Sequence, residues 1–456
     1  MKKRGSTWTP APISESKSDD YCLRAGVTMH MSKSKGKPYY RLPNGRTVWE
    51  KPLATFQVNP RLCETWDEVL RTIYGPRSNA FGESDVLWNT LAYFFWHMRS
   101  AIYVNISNGK VLTIAPFANR NYTNNWSSNI PLREGADRFD KMRAGFLSDK
   151  RKWWSNGGTV STLLDPKKPA WGSFFLREIS EMAHFLAPHL GHAEFFVNKR
   201  DHPVVRSDLS ESYAMLFFGK HDVREPSNVW TDFIRGHFSH FSPVYSFYSS
   251  RAFEDKHFPL PADWQLSRQQ LNNRRRVEWN AKQEIAMWRG SATGYSVSAS
   301  ENPRLQVVQL SSKLVDAKLT SWNRRMKVQS DKSIAVINDK DYPFPANKSF
   351  FIPSEQWGKF KYLLYIDGNV GASRFGRLLS TGSLVIVVRS ELPQPWLFQY
   401  AKDGEHYLGV DSVSDLPSTV QWCIAHDEEC RVIAERGVQL VSSMKQLMID
   451  HMMNSA

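Results

Sequence analysis

Two apolar runs joined by a short polar segment constrain the fold of this chain more than any other feature of its sequence. The stretch "KYLLYIDGNVGASRFGRLLSTGSLVIVV" occupies residues 361–388, and its apolar ends, 362–366 and 384–388, have the composition of buried strands. Between them the chain breaks at Asp-Gly-Asn and then has a short helical stretch that carries Ser373 and Arg374. Two buried strands connected through a helix run parallel in one sheet, so this stretch predicts an α/β fold.

The chain from about residue 60 onward repeats this alternation, which favours two α/β halves. In the first half we predict a hairpin of 101–106 and 110–117, a helix over 174–190 and a buried strand within 192–203. A connector rich in proline and aromatic residues, 242–264, leads to the second half. There we predict a basic helix over 267–284, strands at 306–310, 361–366 and 383–388, and a helical segment over 417–448.

The composition and the start of the chain indicate a globular protein. The sequence has 456 residues, of which 41% are hydrophobic and 23% charged, as in soluble proteins. It lacks an apolar run of about 18 residues, the length that a membrane span needs. The first residues, "MKKRGSTWTPAP", are basic but lack the apolar segment of a secretory signal. Four scattered cysteines give no disulfide framework or zinc motif. We therefore expect a cytoplasmic protein.

The net charge of +14 raises the alternative of nucleic-acid binding. Half of the excess lies in residues 1–51, which hold 11 Lys and Arg against 4 Asp and Glu, and the rest is spread along the chain. The basic run "RRR" at 274–276 fits a solvated helix face. We therefore expect no nucleic-acid partner, and a salt-dependent shift of RNA or DNA would show the opposite.

The first 55 residues form a separate small region. Residues 1–20 are polar, with several Ser and Pro, which predicts a disordered arm. Within 21–55, the segments 39–40 and 47–49 predict short strands around a Pro-Asn-Gly turn. We therefore expect a small β module ahead of the α/β halves.

The sequence of this module resembles a WW domain. The step "GKPYY", the aromatic Trp49 and the closing Pro52 carry the resemblance. It implies that Tyr39 or Tyr40, together with Trp49, forms a groove that receives proline-rich peptides. Val27 stands where that family has its first Trp, and a β-hairpin that decorates the next domain is the alternative.

The α/β halves contain no phosphate-binding loop or metal motif of a common kind. "GNVGAS" lacks the third glycine of a dinucleotide fingerprint, and no H-E-x-x-H or His/Cys cluster occurs. Instead, the chain carries an ordered set of pieces: "NKRDHP" (198–203), "FEDKHFPLP" (253–261), "WRGSATG" (288–294), "NPR" (302–304), the stretch 361–387 and "EHYLGVDSVSDL" (405–416). In this order they resemble glycosyltransferase family 90, which includes protein O-glucosyltransferases and capsule xylosyltransferases.

That resemblance implies a GT-B fold of two Rossmann-like lobes with a cleft between them. Residues 56–265 would form the acceptor-side lobe, and 266–456 the lobe that binds the nucleotide-sugar, with terminal helices. The implied activity is inverting transfer of glucose or xylose from a UDP-sugar to a hydroxyl of a protein or glycan, with no metal and no other cofactor. The alternative is an interaction protein that binds proline-rich peptides and has an inactive transferase body.

The resemblance also implies which residues hold the donor. Without a metal, helix N-termini and arginines must stabilise the charge that grows on the diphosphate. Gly371 and Ser373 would open a helix whose backbone N–H groups face the diphosphate, and Arg374 would add donors to its oxygens. The further donor contacts are Arg289, Gly290, Ser291 and Arg304. A surface helix arginine is the alternative for Arg374.

The transfer also needs a base for the acceptor hydroxyl, and a carboxylate in a closed site suits that role. Asp201 follows the predicted strand "AEFFVN" and matches the family's acidic residue in its "N-x-R-D-x-P" step. Asp255 and Asp367 are the competing bases, and Asp255 and His257 are acceptor-side candidates. A helix cap or an ion pair with Arg200 is the structural alternative for Asp201.

Overall fold

The chain folds into two compact units, residues 1–61 and 62–456. A computed structural model describes residues 28–31, 38–41, 47–48, 63, 65–74, 87, 90–91, 94–95, 100–118, 171–198, 203–205, 242–251, 253–269, 276–294, 296–323, 327–328 and 334–455. The arm and lobe boundaries given above stay predictions.

The first unit contains a three-stranded antiparallel sheet in the order β1-β2-β3. Its strands are β1 (Thr28–Met31), β2 (Pro38–Arg41) and β3 (Thr47–Val48). The two strands predicted around the Pro-Asn-Gly turn are thus present, and Tyr40 pairs with Val48. Tyr39 and Tyr40 lie on β2, whereas Trp49 lies outside the described residues.

The first sheet of the second unit is mixed, in the order β5-β4-β6-β7-β9. The strands of this region are β4 (Ser100–Ser107), β5 (Lys110–Ala118), β6 (Ala193–Val197), β7 (Val244–Ser246), β8 (Tyr248–Ser249) and β9 (Lys256–His257). The predicted hairpin is confirmed, because β4 and β5 pair antiparallel. Asn108 and Gly109 both have positive φ at its turn, as a tight hairpin with right-handed twist needs.

In the described residues, three helices accompany this sheet: α1 (Trp66–Tyr74), α2 (Trp171–Leu190) and α3 (Pro261–Arg268). Helix α2 confirms the prediction over 174–190. The predicted basic helix over 267–284 is wrong: α3 ends at Arg268, and the chain is already in the next strand at residue 283. Residues 270–275 lie outside the described residues, and a single 3-10 turn, Trp279–Ala281, precedes the strand.

The second sheet is entirely parallel, in the order β11-β10-β14-β15-β17. The strands of this region are β10 (Gln283–Ser291), β11 (Val315–Ser321), β12 (Lys327–Val328), β13 (Ile334–Ala335), β14 (Phe360–Tyr365), β15 (Leu384–Val388), β16 (Gln394–Pro395) and β17 (Leu408–Val410). The two apolar runs at 362–366 and 384–388 correspond to β14 and β15, and these strands pair parallel as predicted.

The described part of this half has five α-helices: α4 (Pro303–Gln309), α5 (Phe375–Leu379), α6 (Leu416–Ala425), α7 (Asp427–Ser442) and α8 (Met444–Ser455). The strand predicted at 306–310 is wrong, because those residues begin inside α4. The side chain of Asn302 caps the N–H of Arg304, and Pro303 occupies the first turn, two signals that start a helix. The helical segment predicted over 417–448 is confirmed as α6, α7 and α8.

The two halves share one apolar core. Strand β14 buries both faces, as strands of covered parallel sheets do: Leu363 faces the shared core and Leu364 the opposite one. The shared core also contains Ile179 of α2 and Met448 of α8, and these two helices pack together. Strand β8 of the first half pairs antiparallel with β16 of the second. The predicted α/β class with two halves is therefore confirmed.

Candidate active site

Arg304 ties together two neighbouring strand ends at the carboxyl edge of the parallel sheet. Its Nε donates to the carbonyl oxygen of Asp367 at 2.7 Å and its Nη2 to that of Ile366 at 3.0 Å, just after β14. Its Nη1 donates to the carbonyl oxygen of Ser291 at 3.2 Å, at the end of β10. The side chain is buried, at 6% exposure. Its Nη1 also donates to Thr293 Oγ1, so all the acceptors of its hydrogen bonds are neutral and none of them supplies a counter-charge.

Arg374 lies beside Arg304 and makes fewer contacts. It precedes α5, and its Nη1 donates to the carbonyl oxygen of Arg289 at 2.6 Å. Its guanidinium carbon lies 6.0 Å from the ring centre of Trp357. Gly290 makes room for it, because a Cβ there would lie 3.2 Å from Arg374 Nη2 and 2.7 Å from the ring of Trp288. The structure thus brings Gly290, Arg304 and Arg374 together at one edge.

This edge carries two guanidinium groups that form no ion pair with a carboxylate in the part of the chain that the structure describes. Burial, and then the charge of Arg374, lower the pKa of Arg304 to about 9, although Asp367 opposes the shift. Burial also lowers the pKa of Arg374. Among the described residues, neither guanidinium has a carboxylate oxygen within salt-bridge distance, whereas Arg289 does. A buried and a half-buried cation, neither of them paired with a carboxylate of the described residues, form a site for an anion.

The backbone of the glycine segment is used differently from the prediction. The N–H of Gly371 donates to the carbonyl oxygen of Pro393 at 2.8 Å, and the N–H of Ala372 to Asp367 Oδ1 at 3.3 Å. A Cβ on Gly371 would lie 2.7 Å from Pro395 Cδ, so this glycine lets the segment around β16 approach closely. The idea that Gly371 opens the helix is therefore wrong.

Helix α5 begins later, at Phe375, and Ser373 is exposed ahead of it. The N–H of Leu378 makes a helical hydrogen bond with the Arg374 carbonyl. The first N–H groups of a helix have no carbonyl acceptor inside the helix. The first turn of α5 is buried at Phe375 and Gly376, and a Cβ on Gly376 would lie 2.6 Å from Asp263 Oδ1, so the Arg374 side chain is the donor that this segment offers to an anion.

Arg289 and Ser291 are occupied by the protein itself. The Nη2 of Arg289 pairs with Asp316 Oδ2 at 2.5 Å, and its other nitrogens donate to the carbonyl oxygens of Trp288, Asp316 and Phe350. Ser291 Oγ lies 2.8 Å from Ser321 Oγ, across the ends of β10 and β11. This geometry favours structural roles for both residues, and donor contact by either of them stays a prediction.

Asp255 lies where β6 and β7 end, and its carboxylate is occupied. Its Oδ1 accepts from the N–H of Val204 at 2.9 Å and from Ser246 Oγ at 2.6 Å, and its Oδ2 accepts from the N–H of Val205 at 2.6 Å. It is 5% exposed, and burial raises its pKa to about 6 despite these bonds. The geometry favours a structural role over contact with the acceptor. Asp201, the predicted base, lies outside the described residues.

His257 connects the first half to the segment around β16. Its Nε2 lies 3.0 Å from the carbonyl oxygen of Gln394, and its Nδ1 lies 2.8 Å from Gln399 Nε2. These partners assign the proton to Nε2, which donates, while Nδ1 accepts. Burial, and then the neighbouring His451, lower the pKa of His257 to about 4, although the bond to Gln394 opposes the shift. A neutral imidazole with both nitrogens engaged fits an interface between the halves.

Gln394 is a contact that the sequence analysis missed. Its Nε2 donates to Asp367 Oδ2 at 2.5 Å, and its Oε1 accepts from the hydroxyl of Tyr365 at 3.3 Å. Asp367 is 5% exposed, and burial raises its pKa. Its carboxylate thus positions the loop after β14, which argues against a role as base. The two prolines that flank Gln394 are the only sequence signal, and they predict an extended segment without indicating its partner.

The described residues offer no cluster of side chains that would bind a metal ion. Within the described ranges, no group of three His, Cys, Asp or Glu side chains comes together as ligands of an ion would. Residues 199–202, which carry the predicted base, lie outside those ranges, so the absence of a cofactor stays a prediction.

Residues 170–454 match the model of glycosyl transferase family 90. The match covers more than half of the chain, so this chain belongs to that family, and the resemblance of the ordered pieces is confirmed.

Two kinds of relatives are similar to the chain. Protein 035R of Invertebrate iridescent virus 3 is 25% identical over 80% of this chain, and protein 027R of Frog virus 3 is 26% identical over 77% of it. The chain spans 36% and 39% of the lengths of these two viral proteins. Human protein O-glucosyltransferase 1 is 28% identical over 60% of this chain and 64% of its own length.

Solved structures give a weaker likeness. The Anabaena protein HepE in complex with UDP-glucose is 12% identical, with a TM-score of 0.28 over 49% of this chain and 66% of its own. TarM is 9% identical, with a TM-score of 0.27 over 50% of this chain and 53% of its own. The description of the fold therefore rests on the two sheets above. None of the helices in the described residues combines the length and apolarity needed to cross a bilayer. The cytoplasmic location stays a prediction.

Proposed function

We propose that this protein transfers a sugar from a UDP-sugar to a hydroxyl group, with inversion and without a metal ion. The observation that carries the proposal is the pair of guanidinium groups, Arg304 and Arg374, at the carboxyl edge of the parallel sheet. They have no carboxylate within salt-bridge distance in the described part of the chain. Ligands of open α/β sheets bind at this edge, and a diphosphate would supply the missing charge.

The two arginines have different tasks in this proposal. Arg304 is committed to backbone carbonyls and holds the ends of β10 and β14, so it acts on the ligand through its charge. Among the described residues, the Arg374 side chain makes one hydrogen bond, to the carbonyl of Arg289, so its remaining N–H groups can donate to phosphate oxygens. Charge builds on the diphosphate as the bond to the sugar breaks, so these groups stabilise the transition state more than the ground state.

The transfer itself needs one further group. The acceptor oxygen attacks the anomeric carbon opposite UDP, the bond from that carbon to UDP breaks, and the acceptor proton moves to a base. Asp201 is the proposed base, since it follows β6 and matches the acidic residue of the family step. Glucose or xylose is the proposed sugar, and the name of the human relative supports glucose and a protein acceptor. A glycan hydroxyl is the other proposed acceptor.

A screen with UDP-glucose, UDP-xylose and UDP-galactose tests this function directly. We expect the protein to release UDP from at least one of them, and the rate to survive excess EDTA. NMR of the freed or transferred sugar should show the β anomer, because the donors carry the α configuration. Loss of turnover in EDTA with recovery in manganese would contradict the mechanism. No turnover with any donor would favour an interaction protein with an inactive transferase body.

The three-stranded sheet of the first unit supports a second, separate activity. Tyr39 and Tyr40 lie on its central strand, and a peptide groove of the WW type would use one of them. We propose binding of proline-rich peptides by Tyr39 or Tyr40 together with Trp49. NMR titration with such peptides should shift the signals of these residues, and unchanged signals would favour the decorative hairpin.

A further inference from the structure

Both flanks of the segment that carries the predicted base are fixed to one buried network. Asn198 continues β6: its N–H donates to the carbonyl of Tyr245 at 2.8 Å, and its Nδ2 donates to Ser246 Oγ at 2.9 Å. Ser246 Oγ then donates to Asp255 Oδ1 at 2.6 Å. On the other flank, Val204 and Val205 donate their N–H groups to the same carboxylate. One acidic side chain thus holds the chain before and after residues 199–203.

The network is closed to water and complete in its hydrogen bonds. Asn198 and Ser246 are fully buried, and Asp255 is 5% exposed. The N–H of Glu254 also donates to the carbonyl of Val205 at 2.8 Å, so the segment at 204–205 is held from both sides. A carboxylate that accepts from one hydroxyl and two amides fixes these groups relative to each other, because buried donors without a partner would cost free energy.

We propose that Asp255 is a positioning residue for the transfer reaction, which fixes the segment after Asp201 against the ends of β6 and β7. This inference rests on the proposed function, since it assigns the base to the segment between the two flanks. Asp255 itself touches neither substrate. Its effect would appear in the rate of transfer, because a small displacement of a base costs a large factor in rate.

Paired substitutions separate this role from plain structural support. In Asp255→Asn an NH2 group replaces one carboxylate oxygen. This group cannot accept from the N–H of Val204 or Val205, so one of these two hydrogen bonds is lost. We expect kcat for transfer to fall about 10- to 100-fold. The affinity for UDP, measured by calorimetry, should stay within about twofold, since the donor edge lies on the other sheet.

Two buried serines donate hydrogen bonds to Asp255, one to its carboxylate and one to its backbone carbonyl, so they give a matched pair of variants. Ser246→Ala removes one donor to the Asp255 carboxylate, and we expect kcat to fall about three- to tenfold, the loss of one hydrogen bond. Ser249→Ala removes a hydroxyl that donates instead to the backbone carbonyl of Asp255 at 2.8 Å. Both serines are buried, so similar losses of thermal stability with a fall in kcat for Ser246→Ala alone would support the positioning role.

Two results would overturn the inference. If kcat of folded Ser246→Ala equals that of Ser249→Ala and wild type, the network is only structural. If the acid limb of the pH–rate profile disappears in Asp255→Asn but persists in Asp201→Asn, Asp255 is the base. Should Asp255→Asn fail to fold, the serine pair decides the question alone.

Failure of the proposed function would look different. Wild-type protein would then release no UDP from any donor, and no kcat could be compared. Hydrogen exchange would still report on the network: the amides of Val204 and Val205 should exchange faster in Ser246→Ala than in Ser249→Ala. Equal exchange in the two variants would show that Ser246 and Asp255 do not fix this flank.

Discussion

The two sheets of the second unit end their strands with opposite charges. At the parallel sheet, Arg304 and Arg374 gather around the ends of β10 and β14 with no carboxylate bound to them in the described residues. At the mixed sheet, the carboxylate of Asp255 gathers the backbone that follows β6 and the end of β7. Each edge thus organises its loops with a buried ionised group, but of opposite sign.

The difference matches the two chemical tasks of a sugar transfer. The leaving diphosphate gains negative charge, which a positive edge stabilises, whereas the acceptor hydroxyl loses a proton, which needs a carboxylate. The positive edge has unused donors on Arg374, while the acidic network is fully hydrogen-bonded and so cannot itself take part. The chemistry of the negative edge therefore falls to a second carboxylate, for which Asp201 is the sequence candidate.

Removal of that carboxylate should give the largest effect on activity. Asp201→Asn keeps the shape of the side chain but removes the proton acceptor, so transfer should fall by roughly two to four powers of ten. UDP should bind as in wild type, because the positive edge is unchanged. Transfer assays together with calorimetry check this expectation. If the variant transfers sugar at nearly the wild-type rate, Asp201 is not the base. The proposal that one edge stabilises the diphosphate while the other deprotonates the acceptor would then be wrong.

Acid should weaken the contact between the halves through His257. Its pKa in the folded protein is about 4, below the value of about 6.5 in an unfolded chain. The unfolded state therefore takes up the proton first, and the stability from neutral His257 is present above pH 6.5 and lost as the pH falls towards 4. The shift corresponds to a loss of about 3 kcal/mol in the free energy of unfolding.

His257→Gln tests this effect, because its amide can still donate to Gln394 but does not titrate. The difference in unfolding free energy between wild type and variant should shrink between pH 7 and pH 4, measured by urea denaturation. Asp255 and Asp263 titrate in the opposite sense, so the difference, and not the wild-type curve, is informative. The same substitution at the exposed His189 is the control. A difference that is independent of pH would contradict the neutral histidine at this contact.

The sequence predicts the elements of the fold better than the use of its polar groups. Strands β14 and β15 were predictable because a covered parallel strand needs an uninterrupted apolar run. The error at α4 arose from Val307 and Val308, which favour a strand by propensity, although the Asn302 cap starts a helix. Strands and helices of this half are predicted correctly when the apolar pattern and the helix-capping residues are used together, and not from either signal alone.

The roles of the arginines were harder to predict. Arg289 and Arg374 stand in equally suggestive sequence contexts, yet Arg289 is paired with Asp316, 27 residues further along the chain. No local pattern announces that pair, since strand order in the sheet creates it. The same is true of Gln394, which reaches Asp367 only because β16 lies beside the loop after β14. Long-range pairing decides which polar groups remain free for a ligand.

The most direct test of the account compares UDP binding to wild type, Arg374→Met and Arg289→Met by calorimetry. Both substitutions remove a guanidinium within the same edge region, but only Arg374 has donors to spare. We predict that Arg374→Met weakens UDP about 10- to 100-fold, the loss of charged hydrogen bonds, with little change in thermal stability. Arg289→Met should retain most of the affinity and lose stability, because it removes the buried guanidinium that bonds to Trp288, Asp316 and Phe350. Equal affinities for UDP in Arg374→Met and wild type, or equal binding of ADP and UDP to wild type, would contradict a UDP site at this edge.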